Sequence, residues 1–113
     1  MATVTYNGAA LTLGTSIADV YQAPNSSGNV ALVMDLRLSN SDGTNAATVQ
    51  LVKTNSSNTI LSYLVGKDIN VPAQTTLVVV QGGFLVLKQG EKIRALASAA
   101  SRVDCNVSVR EEA

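Results

Sequence analysis

Cys105 carries the one strongly nucleophilic side chain in the sequence, and no histidine accompanies it. Histidine is the commonest general base near neutral pH, so Ser-His-Asp and Cys-His arrangements are out of reach within a single chain. A thiol needs a neighbouring group that lowers its pKa before it attacks. Cys105 instead falls between Val103 and Val107 in an alternating run, where an inert buried thiol is expected. Thiolate and imidazole ligands are too scarce for zinc. The oxygen-rich stretch "NSDGTN", residues 40–45, offers one carboxylate, Asp42. Calcium wants about six to eight oxygens, usually with several carboxylates, so this stretch reads as a turn. Asp19, Asp35, Asp68 and Asp104 are scattered singly. No enzymatic activity and no cofactor or metal are expected.

Binding signals are equally sparse. Gly82-Gly83 is not followed by Lys-Ser/Thr or by a helix, which makes it a bend or bulge rather than a phosphate cradle. Lys88, Lys92 and Arg94 form the densest basic cluster, but Glu91 sits among them and no aromatics interleave. A solvated hairpin tip is expected there. Tyr6, Tyr21 and Tyr63 are too dispersed for a carbohydrate platform and read as core-edge residues. Eight basic and eight acidic residues give a formal net charge of zero, which argues against nucleic-acid binding by counterion release.

The elements that must position these residues are strands. Charged residues make up only 14% of the chain, against roughly 25% in typical soluble domains. Interface cores are depleted in charge, so this composition suits a subunit covered by neighbours as well as a domain with a Ser/Thr/Asn-rich surface. The start of the chain lacks the basic and long apolar segments of a secretory signal, and no apolar run approaches the roughly 20 residues that cross a bilayer as a helix. Synthesis in the cytoplasm and no membrane partner are expected.

Period-two alternation dominates. Residues 30–39 place Val30, Leu32, Met34, Leu36 and Leu38 on one face, and residues 46–54 place Ala47, Val49 and Leu51 opposite Thr48, Gln50 and Val52. With Asp42-Gly43 between them, the two runs read as an antiparallel hairpin. Residues 2–13 offer one or two short strands broken at Asn7-Gly8, and residues 15–24 a short strand stopped by Pro24. "ILSYLV" (60–65) is another, and Pro72 makes 66–74 a connection. "TTLVVVQ" (75–81) has the continuous apolarity of a strand covered on both faces, broken by Gly82-Gly83 before "FLVLK" resumes. Ile93, Ala95 and Ala97 point one way after the Gln89-Gly90 turn, and Val103, Cys105, Val107 and Val109 alternate in the last strand. The Ala-rich stretch 95–101 has helix as a rival, but it is too short and uncapped to stand alone. The whole pattern predicts an all-β fold over residues 1–113: a single-domain antiparallel β-sandwich of about eight strands, jelly-roll-like.

The order of these elements resembles that of small virion structural proteins of tailed bacteriophages, especially those of marine and environmental phages. The likeness rests on "VYQAP" (Val20 to Pro24), on Leu38-Ser39-Asn40, and on Val71, Pro72, Ala73, Thr75 and Thr76. It continues through Leu87, Gly90, Glu91, Ile93 and Ala97, with Glu91 where the family commonly has Asp. The resemblance implies a non-enzymatic virion subunit, made in the host bacterial cytoplasm. Its partners would be itself, as a homo-oligomer, and other virion proteins such as major capsid, neck or tail proteins, in a decoration, vertex or neck position.

Contacts are expected on the low-charge strand faces that carry Thr48, Gln50, Val52, Asp104, Asn106 and Ser108. Edge pairing is expected at the segments 1–6 and 103–110, where little charge and no proline guard the backbone. The alternative is a receptor- or carbohydrate-binding module on the virion exterior that uses the polar loops 25–29, 40–46 and 54–59.

Overall fold

The computed structural model describes residues 4–25, 28–64 and 67–112. Among them it forms nine strands: β1 (Val4–Thr12), β2 (Ala18–Gln22), β3 (Val30–Asn40), β4 (Ala47–Thr54), β5 (Ile60–Tyr63), β6 (Ile69–Val71), β7 (Thr76–Lys88), β8 (Lys92–Ala97) and β9 (Val103–Glu112). They make two antiparallel sheets. One has the order β1-β9-β3-β7; the other has β2-β8-β4-β5, with β6 also on β4. β5 pairs with residues 52–54 of β4 and β6 with residues 47–49, so the two together fill one edge position. Counting them as one strand gives the eight-strand, two-sheet order of a jelly roll.

Alternating residues from both sheets build the core. Leu36 and Leu38 of β3, Val49 and Leu51 of β4, Ile93 and Ala95 of β8, and Val103, Cys105, Val107 and Val109 of β9 are all buried. The alternation read in β4, β8 and β9 thus holds, as does the all-β sandwich. In β3 it does not hold throughout: Ala31 and Val33 are buried there, not Val30 and Leu32. A bulge between Val33 and Asp35 accounts for this, because one extra residue in the ladder exchanges the two faces.

Further expectations are corrected. The runs 30–39 and 46–54 do not pair with each other. β3 lies between β9 and β7 while β4 lies in the opposite sheet, so the Asp42-Gly43 turn carries the chain across the sandwich. The Gln89-Gly90 turn crosses between sheets in the same way, from β7 to β8. β1 runs unbroken through Asn7-Gly8, in register with β9 over nine residue pairs. β7 is likewise one strand through Gly82-Gly83, where its register with β3 shifts. It is an edge strand, with Val78 and Val86 exposed rather than covered on both sides. Finally, the segment 103–110 is no edge, because β9 is held between β1 and β3.

Candidate interaction surfaces

Two clusters of polar groups fix the loops at opposite ends of the sandwich, and the distinctive residues of the sequence gather in them. At one end Asn40, only 2% exposed, donates to the carbonyls of Asn45 and Val71, both at 3.0 Å, while its Oδ1 accepts from the Asp42 N–H at 2.9 Å. The Asn40 N–H in turn donates to the Thr75 carbonyl at 2.9 Å. The Asp42 carboxylate accepts from the backbone of Thr44 and Asn45 at 2.8 and 3.0 Å and pairs with Arg102 at 3.0 Å. Those backbone donors, Thr44 first, hold its carboxyl down at about 2. Leu38-Ser39-Asn40 and the Val71 to Thr76 stretch are therefore two halves of one joint.

The other end is built around Gly90. Its φ of 73° lies in the left-handed region, its N–H donates to the Pro24 carbonyl at 3.2 Å, and its carbonyl accepts from Gln22 Nε2 at 3.2 Å. The Glu91 carboxylate accepts from the Lys88 N–H at 2.8 Å and the Glu91 N–H donates to the Lys88 carbonyl at 3.0 Å, which closes the turn. A Cβ at position 90 would stand 2.7 Å from Asn25 Oδ1. Gly90→Ala should therefore lower the unfolding free energy by about 1–2 kcal/mol, read in urea denaturation. A loss below a few tenths would show that the loop gives way freely.

Two members of the basic cluster are held by one carboxylate. Arg94 and Lys92 pair with Asp19 at 2.6 and 3.2 Å, and Lys92 also donates to Asn58 Oδ1 at 2.9 Å. Among the described residues no group of three or more His, Cys, Asp or Glu side chains could hold a metal ion. Cys105 is fully buried, and burial pushes its thiol up to about 12, so it is not a thiolate at neutral pH.

The six residues expected to make contacts lie on two opposite outer faces. Thr48 and Gln50 open onto the sheet of β4, and Gln50 reaches Asp68 at 3.4 Å. Val52 presents no surface: it is fully buried on that outer face, between Tyr63 and Arg94 in register, so it cannot take part in a contact. Asp104, Asn106 and Ser108 face out from β9. Asp104 and Asn106 line a shallow hollow of about 240 Å³ with Ala10, Leu11 and Thr12 of β1, where Thr12 Oγ1 donates to Asp104 at 2.6 Å. The three polar loops do not form one surface either. Loop 40–46 is at the Asn40 end, while Asn25 and the 54–59 loop meet around Gly90; residues 26 and 27 lie outside the described residues.

Exposed apolar residues mark places that pattern reading passed over. Tyr6 is 69% exposed, and Ile60, Leu61 and Tyr63 are exposed along β5. The alternation in "ILSY" carried no sign of this, because a short edge strand looks the same as a buried one.

The strand order and the packed sheets define the class: a jelly-roll sandwich assembled around turns. No protein-family model matches the sequence, and no curated protein matches it. Solved structures do match in fold. A chain of the acid-stable capsid of Helicobacter pylori bacteriophage KHP30 is 11% identical, with a TM-score of 0.55 over 100% of this chain and 94% of that one. A subunit of the disulfide-linked pili that form Bacillus endospore appendages is 13% identical, with a TM-score of 0.54 over 98% and 86%. A chain of the infectious bursal disease virus particle is 7% identical, with a TM-score of 0.56; the match covers 98% of this chain but only 31% of that larger one. At these identities the likeness speaks for the fold.

Proposed function

We propose that the chain is a non-enzymatic structural subunit of a bacteriophage virion. In this reading it forms homo-oligomers and docks on capsid, neck or tail proteins as a decoration, vertex or neck component. The observation that carries the reading is the likeness to the KHP30 capsid chain, which spans all of this chain and 94% of that one. The pilus chain supports an assembly role in a broader sense, because it comes from disulfide-linked pili. The chemistry points the same way: the acidic side chains Asp19, Asp35, Asp42 and Glu91 are engaged in ion pairs or turns.

Mass spectrometry of purified particles tests this. The chain should appear in stoichiometric amount with the other structural proteins and persist through density-gradient purification. Its absence from particles, with the protein present in infected-cell lysate, would overturn the reading.

A further inference from the structure

The sandwich has four edge positions, and three of them are guarded. β2 is five residues long, carries Asp19, is bulged between Asp19 and Tyr21, and is followed at once by Ala23 and Pro24. β5 and β6 are four and three residues long; the β4–β5 ladder is irregular, and Pro72 follows β6. β7 is long but its ladder shifts register twice. Short strands, charge, proline and bulges are the devices that keep sheet edges from pairing with other chains. β1 has none of them. It is nine residues without charge or proline, its register with β9 is uninterrupted, and seven of its residues are exposed.

The parity of β1 defines what its free edge offers. Leu13 just beyond it donates to the Val103 carbonyl and accepts from the Ser101 N–H, so odd-numbered backbone groups face β9. The N–H and C=O groups of Val4, Tyr6, Gly8, Ala10 and Thr12 therefore face away from β9. In keeping with this, the Gly8 N–H is capped only by the neighbouring Asn7 side chain, at 2.8 Å.

The geometry points to a second copy of this chain as the occupant, paired β1 to β1 in antiparallel register about a two-fold axis at Gly8. This deepens the assembly-subunit reading and names its partner and contact. In that register Gly8 faces Gly8, Tyr6 faces Ala10 and Val4 faces Thr12, and roughly ten backbone hydrogen bonds join the two four-stranded sheets into one. A neutral strand meets itself without opposed like charges. Shape supports the same register. Tyr6 is the most exposed large apolar side chain among those described, and its opposite number, Ala10, lines the hollow bounded by Thr12, Asp104 and Asn106. Each chain thus offers a ring at position 6 and a recess at position 10, and antiparallel pairing brings each ring to the other chain's recess.

Sedimentation velocity and oxidative cross-linking of the full chain test the proposal. The wild-type protein should sediment as a dimer whose population follows mass action. Residues opposed in a hydrogen-bonded antiparallel pair have Cα atoms about 5.5 Å apart, within disulfide range. Gly8→Cys should therefore cross-link on mild oxidation, whereas Ala10→Cys, displaced from its own copy along the strand, should do so far less; buried Cys105 does not compete. A Cβ at position 8 would meet nothing closer than the Val107 carbonyl at 3.6 Å, so Gly8→Lys should fold normally. Because it sets two lysines face to face on the axis, it should weaken the dimer by a factor of about five. Tyr6→Ser should weaken it as well. A monomeric wild type, a dimer indifferent to folded Gly8→Lys, or equal cross-linking at positions 8 and 10 would each overturn the proposal. A monomer that is nevertheless found in particles would end β1 pairing and leave the virion reading intact; a β1 dimer absent from particles would do the reverse.

Discussion

Asn40→Ala should lower the unfolding free energy by about 3 kcal/mol, the largest loss expected from removing a single polar side chain here. The substitution strands the Asn45 and Val71 carbonyls and the Asp42 N–H at once, and only 2% of Asn40 is exposed to let water replace it. Those three groups belong to the β3–β4 crossing and to β6, so the loss falls on the joint that carries the chain between sheets. Urea denaturation reads it as a lowered midpoint at unchanged slope. Asn40→Asp should be at least as damaging at neutral pH, because a carboxylate would face two carbonyl oxygens with nothing to donate. Asn45→Ala keeps the backbone acceptor and should stay within about 0.5 kcal/mol of wild type. Equal stability of Asn40→Ala and Asn45→Ala would show that the joint is held by the strands alone.

The second large effect sits between the sheets at the Gly90 end. The Tyr21 hydroxyl on β2 donates to the Glu111 carboxylate on β9 and so ties one sheet to the other. Tyr21→Phe leaves that carboxylate without its donor and should cost about 2 kcal/mol, in the range of hydrogen bonds to charged groups. A pH signature accompanies it. Burial first, and then the bond to Glu111, raise the Tyr21 pKa above its ordinary value of 10.0. The unfolded chain therefore releases this proton from about pH 10 upward while the folded chain retains it. Stability is fully present below that pH and falls above it, with a limiting slope of about 1.4 kcal/mol per pH unit. Tyr21→Phe should remove this part of the alkaline decline. If both proteins lose stability in parallel between neutrality and pH 11, the tether is not what titrates.

Much of the sandwich was legible because period-two patterns survive wherever a ladder is regular. Ala47, Val49 and Leu51, then Ile93, Ala95 and Ala97, and finally Val103, Cys105, Val107 and Val109 face inward as their spacing predicts. Bulges defeat the same reasoning. One extra residue near Met34 reverses the early half of β3, and nothing in "VALVMDLRLS" marks the place. Local turns mislead in another way: Asp42-Gly43 and Gln89-Gly90 look like hairpin tips, yet each links strands of different sheets. Which strand a segment pairs with is decided by distant segments, and no short window contains that information. Val52 was misplaced for a related reason, since the cover over an outer face comes from neighbouring strands and not from the alternation of β4 itself. The resemblance motifs did carry structure. Gly90, Glu91, Asn40 and Val71 each turn out to hold a loop in place.

The position of β9 has a consequence for how the molecule comes together during translation. It is the ninth strand to be made, yet it occupies an interior place in its sheet and is the sole hydrogen-bonded neighbour of β1 within that sheet. β1 thus lacks its hydrogen-bonded neighbour until β9 has been made, and until then it stands as an uncharged, unpaired ribbon. Nascent chains on one messenger would spend that interval side by side with the same ribbon exposed, so the order of synthesis itself favours encounters between copies before either has closed.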